Sequence, residues 1–156
     1  MTQMTRRRLM TVLAAAPLAA TLPAFAQAVP AIVVAKDPNC GCCGAWVEIL
    51  RENGFDVTVE ELGPEGLRAV KAAGGVPAEM ASCHTGRVEG YVIEGHVPAA
   101  DIRRLLDERP DALGLAVPGM PWGAPGMGPE DQREAYDVYL LTKDGGAEVF
   151  SSYAAA

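Results

Sequence analysis

The sequence predicts a mixed α/β domain. Between residues 31 and 110, short runs of strand-forming residues alternate with longer segments whose apolar residues recur at helical spacing. Glycines and prolines separate these segments and suit the loops that would connect them. A chain that alternates strands with helices builds a sheet covered by helices, which defines the α/β class.

The first half of the domain has the pattern strand, helix, strand. The apolar run 31–35 is typical of a buried strand, and residues 36–39, Lys-Asp-Pro-Asn, end it. From Cys42 to Asn53, apolar residues recur every three or four positions, and Gly54 is suited to end the resulting helix. Residues 55–60 alternate between apolar and polar side chains, which predicts the second strand.

The pattern continues with a helix, a hairpin and another helix. Pro64 suits a first helical turn, and Gly74-Gly75 is a helix stop. A hairpin is predicted with its turn at 84–87 and its second strand at 88–93. Residues 98–109, followed by Pro110, predict the third helix. The predicted order is therefore β-α-β-α-β-β-α.

This order, with a Cys-x-x-Cys motif where the first strand meets the first helix, is the thioredoxin-like arrangement. The motif is Cys40-Gly41-Cys42-Cys43. Residues 111–130 form a Gly/Pro/Met-rich loop. Residues 136–141 and 147–150, joined across Asp144-Gly145-Gly146, predict a C-terminal β-hairpin.

Residues 1–26 have the features of an export signal. Three arginines at 6–8 precede an apolar run at 9–22, and small residues lead to a cleavage position near Ala26. The run is shorter than the ~20 residues of a membrane-spanning helix, so no span is expected after cleavage. The arginines also suit a twin-arginine signal, an alternative that stays open. Residues 27–156 are then one exported domain.

The charge of the chain excludes some partners. The full sequence has a net charge of −7, and without the three signal arginines 10 basic residues face 20 acidic ones. An acidic surface argues against binding to nucleic acid or to anionic membranes.

An oxidising location permits disulfides, so two structural bridges are one interpretation of the four cysteines.

The Cys-x-x-Cys pair is the strongest chemical signal. A helix N-terminus favours the thiolate, so Cys40 and Cys43 are the predicted catalytic residues and the predicted central metal ligands. A plain disulfide exchanger needs only two thiols, and Cys42 is a third. Cys42 either bridges several soft ions or forms a structural bond with Cys83.

Cys83 is followed by His84, and His96 lies at the exit of the last core strand. Neighbours in a strand point to opposite faces, so Cys83 and His84 share an ion only if the backbone leaves strand geometry. An extended path from Pro77 would also carry Cys83 about 20 Å away. Either residues 78–84 fold back over the cysteines, or Cys83 is a separate feature. His96 is either a metal ligand or a helix-capping residue.

Met120 and Met127 lie in the Gly/Pro/Met-rich loop rather than in a helix. Thioethers are soft donors that favour Cu(I) over zinc or calcium. The two methionines are therefore candidate copper ligands, or they cover apolar surface as part of a lid.

Six sequence blocks occur together in an order that resembles the CopG-type periplasmic copper-resistance proteins, long catalogued as a domain of unknown function. The blocks are Pro38-Asn-Cys-Gly-Cys-Cys-Gly-Ala-Trp46, Gly75-Val-Pro77, Ser82-Cys-His-Thr85, Val88-Glu-Gly-Tyr91, Glu94-Gly-His-Val-Pro98 and Gly114-Leu-Ala-Val-Pro-Gly-Met-Pro121. The resemblance spans about residues 30–150. It implies a thioredoxin-like fold that binds a small copper cluster, a periplasmic location, and a metal role for the matching Cys, His and Met residues.

The resulting hypothesis is a protein that interconverts or transfers Cu(I) and Cu(II) in copper resistance. Its expected partners are copper ions, other periplasmic copper carriers and efflux components. A copper-dependent oxidoreductase is one form of this hypothesis. The first alternative is a metal-independent thiol–disulfide oxidoreductase, which a cis Val76-Pro77 bond would suit. The second is a structural Cys3His zinc site formed by Cys40, Cys43, Cys83 and His84.

Overall fold

The apolar and alternating runs of the sequence form seven strands and three helices in a computed structural model, which describes residues 29–156. The strands are β1 (Ala31–Lys36), β2 (Asp56–Glu61), β3 (Thr85–Val88), β4 (Tyr91–Glu94), β5 (Gly114–Ala116), β6 (Tyr136–Leu141) and β7 (Ala147–Tyr153), and the helices are α1 (Gly41–Glu52), α2 (Pro64–Ala73) and α3 (Ala99–Glu108). The predicted α/β class is confirmed. The predicted export signal at 1–26 lies outside the described residues.

All seven strands belong to one mixed sheet in the order β2-β1-β3-β4-β5-β6-β7. The pairs β1–β2 and β4–β5 are parallel, and the other neighbouring pairs are antiparallel. The predicted order of elements from β1 to α3 is observed. The C-terminal hairpin is also observed, and β5 connects it to the core strands. Strand β5 was not predicted, because its three residues lie among glycines and prolines.

The predicted turn of the β3–β4 hairpin is wrong. Residues 85–87, placed in the turn by the sequence, belong to strand β3, and the turn lies at Glu89-Gly90. Both turn residues have positive φ, 46° and 89°, which suits a tight two-residue connection. The described residues contain no cis peptide bond, so the Val76–Pro77 bond is trans.

The helices cover both faces of the sheet. Apolar side chains of α1 and α3, including Trp46, Leu50 and Ile102, form one buried cluster with strand residues such as Ile93. Helix α2 packs against the other face, where a Cβ on Gly74 would come 2.9 Å from Val92. Because side chains alternate along β4, the residues on either side of Ile93 face α2. Within residues 29–156, no helix is long and apolar enough to cross a membrane.

The C-terminal hairpin is attached to α3 through a buried carboxylate. Asp101 accepts hydrogen bonds from the Ser151 hydroxyl at 2.5 Å and from the Tyr153 hydroxyl at 2.7 Å. The Tyr153 ring stacks on Tyr136 at 4.9 Å. These contacts hold the hairpin in place beside the helices.

Candidate metal centre

The first two cysteines of the site are placed by the start of α1. The Asn39 N–H donates to the Asp37 carboxylate at 2.8 Å, which turns the chain out of β1. Cys40 is then the N-cap residue of α1, and its sulfur accepts the Cys43 N–H at 3.3 Å. The two cysteines have Cα atoms 5.4 Å apart and form a disulfide. The predicted position of the pair, where strand meets helix, is confirmed, and the spacing permits interconversion of disulfide and dithiol.

Cys42 contributes a third sulfur at the same helix end. It is half-buried, and its Sγ lies 3.5 Å from Cys40 Sγ. Both Cys42 and Cys83 are free thiols, so the alternative of a bond between them is not observed.

Cys83 joins the other cysteines because the chain folds back before β3. A short 3-10 helix, Ala78–Met80, interrupts the path that an extended chain would take from Pro77. Cys83 Sγ consequently lies 3.4 Å from Cys43 Sγ. The fold-back alternative is therefore the observed one. The four cysteine sulfurs all lie within 4.8 Å of one another.

The backbone at Cys83 is bent rather than extended, since β3 begins only at Thr85. This bend lets the side chains of Cys83 and His84 approach each other, which is the condition for both to bind one ion. Cys83 Sγ lies 3.2 Å from His84 Nδ1 and 3.3 Å from His96 Nε2. Cys83, His84 and His96 thus form a second donor group, and Cys83 belongs to both groups.

His96 is held in one tautomer by the Gly/Pro/Met-rich loop. Its Nδ1 lies 2.8 Å from the Pro125 carbonyl oxygen, which only accepts hydrogen bonds. Nδ1 therefore carries the proton, and Nε2 presents a lone pair to Cys83. A backbone carbonyl on the far nitrogen is a common way to orient a metal-binding histidine.

His84 is a completely buried histidine whose ring packs against aromatic neighbours. Its ring packs on Trp46 at 4.3 Å and against the His96 ring at 4.9 Å. His84 is completely buried, yet within the described residues its Nε2 has no hydrogen-bond partner. Buried ring nitrogens without hydrogen-bond partners are rare, and His84 Nε2 is therefore a candidate metal donor. Sulfur and imidazole donors at this spacing fit a soft ion such as Cu(I).

Burial sets the protonation of the site. Burial, with a contribution from nearby Cys42, raises the pKa of the Cys83 thiol to about 11. Burial, followed by the charges of His96 and Lys71, lowers the pKa of His84 well below its usual value. Burial also lowers the pKa of His96. The metal-free site at neutral pH therefore holds a protonated Cys83 and two neutral imidazoles, and a bound ion would displace the thiol proton.

Besides the Pro125 carbonyl, the Gly/Pro/Met-rich loop borders the site at two further points. Gly119 N–H donates to the Ala81 carbonyl at 3.3 Å, close to Cys83 in the chain. Gly126 lies directly on α1, where a Cβ would come 2.8 Å from Trp46 N and 2.9 Å from Cys42 O. The loop is thus in contact with both halves of the site.

The two methionines of this loop differ in exposure. Met120 is 57% exposed, whereas Met127 is half-buried and follows Gly126 directly. Their role as ligands stays a prediction.

Glu94 is a residue of this region that sequence reasoning missed. It is completely buried at the end of β4, and Lys71 of α2 forms an ion pair with it at 2.5 Å. Burial raises the pKa of Glu94, and Lys71 acts in the opposite direction. The available signal was strand alternation, which places Glu94 on the buried face shared with Val92.

Comparisons with known proteins agree with a metal site of sulfur and imidazole donors. The family described as "Protein of unknown function, DUF411" matches residues 80–127. The chain is similar to the solved structure titled "Copper resistance protein copG- Form 2", with 50% identity and a TM-score of 0.74 over 80% of this chain and 98% of that one. Form 1 of the same protein has 51% identity and a TM-score of 0.74, over 80% and 97%. No curated protein matches the chain.

Proposed function

Because the chain belongs to the family of the copper resistance protein CopG, we propose that it is an exported, periplasmic copper-binding protein that interconverts or transfers Cu(I) and Cu(II). Copper is its substrate. The domain comprises residues 27–156, with residues 1–26 as the cleaved signal. Its partners are copper ions and the carriers or efflux components that deliver or remove them.

The observation that carries this proposal is the pair of overlapping donor groups. One contains the four cysteine sulfurs, the other contains Cys83, His84 and His96, and each group lies within 4.8 Å. Thiolates favour Cu(I), zinc and iron–sulfur clusters, and imidazole also binds copper. A sulfur shared by two groups supports binding of more than one ion. Met120 and Met127 are further ligands in this proposal.

The Cys40–Cys43 pair supplies the electrons in the proposed reaction. Two Cys thiols become one disulfide and release two protons and two electrons, and the electrons reduce two Cu(II) to two Cu(I). The reverse reaction oxidises two Cu(I) and restores the two thiols. Cys40 and Cys43 are therefore the proposed catalytic residues, and the disulfide they form supports this assignment.

An anaerobic copper titration of the reduced protein tests the proposal. Wild-type protein should bind Cu(I) in competition with a chromophoric chelator, and the Cys40→Ser, Cys43→Ser double variant should bind it much more weakly. Asp101→Asn is the matched control, since Asp101 bonds the C-terminal hairpin. Equal Cu(I) affinity of the double variant and the wild type would show that the assignment is wrong.

One observation also favours the thiol–disulfide oxidoreductase. Cys40 is a half-buried N-cap residue and Cys43 is completely buried, so of the two disulfide cysteines only Cys40 has exposed surface. This function predicts turnover of a disulfide substrate by metal-free protein. Elemental analysis after expression without added copper, with a thiol count, distinguishes it from copper binding and from the Cys3His zinc site.

A further inference from the structure

The carboxylate of Glu94 contacts both sides of the segment that carries Cys83 and His84. Its Oε1 accepts the Ser82 N–H at 2.6 Å, and its Oε2 accepts the Thr85 hydroxyl at 2.7 Å. Ser82 comes directly before Cys83, and Thr85 directly follows His84. One side chain thus holds the two ends of a two-residue bend.

This carboxylate is itself fixed by a counter-charge. Lys71 Nζ donates to Glu94 Oε1 at 2.5 Å and to the Thr85 hydroxyl at 3.0 Å. Glu94 has no exposed surface, and the Lys71 side chain is only 15% exposed. An unpaired buried carboxylate is costly, and Lys71 supplies a counter-charge that offsets part of this cost.

Two further contacts reach the start of the bend from the Gly/Pro/Met-rich loop, since the Ser82 hydroxyl donates to the Gly119 carbonyl and the Gly119 N–H donates to the Ala81 carbonyl at 3.3 Å. The one strand-type contact at its end is the Gly95 N–H, which donates to the His84 carbonyl at 3.0 Å. Regular β3 pairing begins only at Thr85. The backbone on both sides of Cys83 and His84 is therefore held by the Glu94 carboxylate together with the contacts of Gly119.

We propose that Glu94, paired with Lys71, is a positioning residue that holds Ser82 and Thr85 so that Cys83 and His84 face the other donors in the metal-free protein. The consequence for copper rests on the function proposed above. Outer contacts that orient metal ligands typically change metal affinity about 10- to 100-fold when removed.

The test compares Glu94→Ala and Thr85→Val with Asp101→Asn, which alters another buried carboxylate whose partners lie in β7. Folding is checked by circular dichroism and urea denaturation. Two measurements follow on reduced protein: the rate at which iodoacetamide alkylates Cys83 without metal, read by peptide mass spectrometry, and Cu(I) affinity. A residue that served stability alone would change the urea midpoint without changing either measurement.

In Glu94→Ala, iodoacetamide should alkylate Cys83 faster than in the wild type, and Cu(I) should bind about 10- to 100-fold more weakly. Thr85→Val, which keeps the charge pair, should shift both measurements in the same direction by a smaller factor, and Asp101→Asn should leave both unchanged. If Glu94→Ala does not fold, Thr85→Val decides. The inference is overturned if the folded variants match the wild type in both measurements. Absence of Cu(I) binding by wild type would instead refute the proposed function, and the metal-free alkylation rates would still test Glu94.

Discussion

Gly126 lies in close contact with α1, and its replacement by alanine should lower both the stability of the fold and the Cu(I) affinity of the site. Its φ is +84°, and a Cβ would come 2.8 Å from Trp46 N and 2.9 Å from Cys42 O. These are backbone atoms of a helix and cannot rotate away. Gly145 is the matched control, because its φ is +88° but a Cβ there meets nothing within 4 Å.

Comparing Gly126→Ala with Gly145→Ala separates two contributions to the loss of folding free energy. A left-handed conformation costs a non-glycine residue about 1–2 kcal/mol, which both Gly126→Ala and Gly145→Ala incur. Overpacking adds about 1–3 kcal/mol, and only Gly126→Ala incurs it. The free energy of unfolding should therefore fall by about 2–5 kcal/mol for Gly126→Ala and by about 1–2 kcal/mol for Gly145→Ala.

Urea denaturation with linear extrapolation measures the two free energies of unfolding. Cu(I) affinity gives a second comparison, because lifting the loop also removes the Pro125 carbonyl from His96 Nδ1. Gly126→Ala should bind Cu(I) more weakly than Gly145→Ala. Equal urea midpoints and equal Cu(I) affinities for the two variants would refute the close contact between loop and helix.

Two further predictions concern individual ligands. Cys83→Ser should weaken Cu(I) binding more than Cys42→Ser, because Cys83 belongs to both donor groups and Cys42 to one; a chelator competition in which Cys42→Ser is the weaker binder would contradict this. Met120→Leu should lower Cu(I) affinity relative to a Met80→Leu control, which changes a methionine of the 3-10 helix, and identical affinities would remove Met120 from the ligand set.

Local patterns were enough to predict the elements that bury regular apolar faces. Helix α1 was predicted from the spacing of Trp46, Val47 and Leu50, all of which are buried. The C-terminal hairpin was predicted from two runs, 136–141 and 147–150, joined across the turn residues Asp144-Gly145-Gly146. The Cys-x-x-Cys pair was also placed correctly, because its position depends only on where β1 ends and α1 begins.

Features that depend on distant contacts were not predicted. The position of Cys83 depends on the short 3-10 helix at 78–80, which has no local sequence pattern. In our proposal it also depends on Glu94, for which strand alternation was the one available signal. The β3–β4 turn was misplaced because residues 85–87 contain a glycine that suits a turn. Gly86 is needed instead for packing, since a Cβ there would come 2.9 Å from Ile32.

The donors of the site come from residues 40–43, 83–84 and 96, which an unfolded chain cannot gather. An ion held by all three stretches therefore binds the folded protein more tightly than the unfolded chain and shifts the folding equilibrium by mass action. At a free concentration one hundred times the dissociation constant, the shift is at most about 2.7 kcal/mol. If the chain binds copper as proposed, its resistance to proteolysis should therefore rise with the free concentration of the ion.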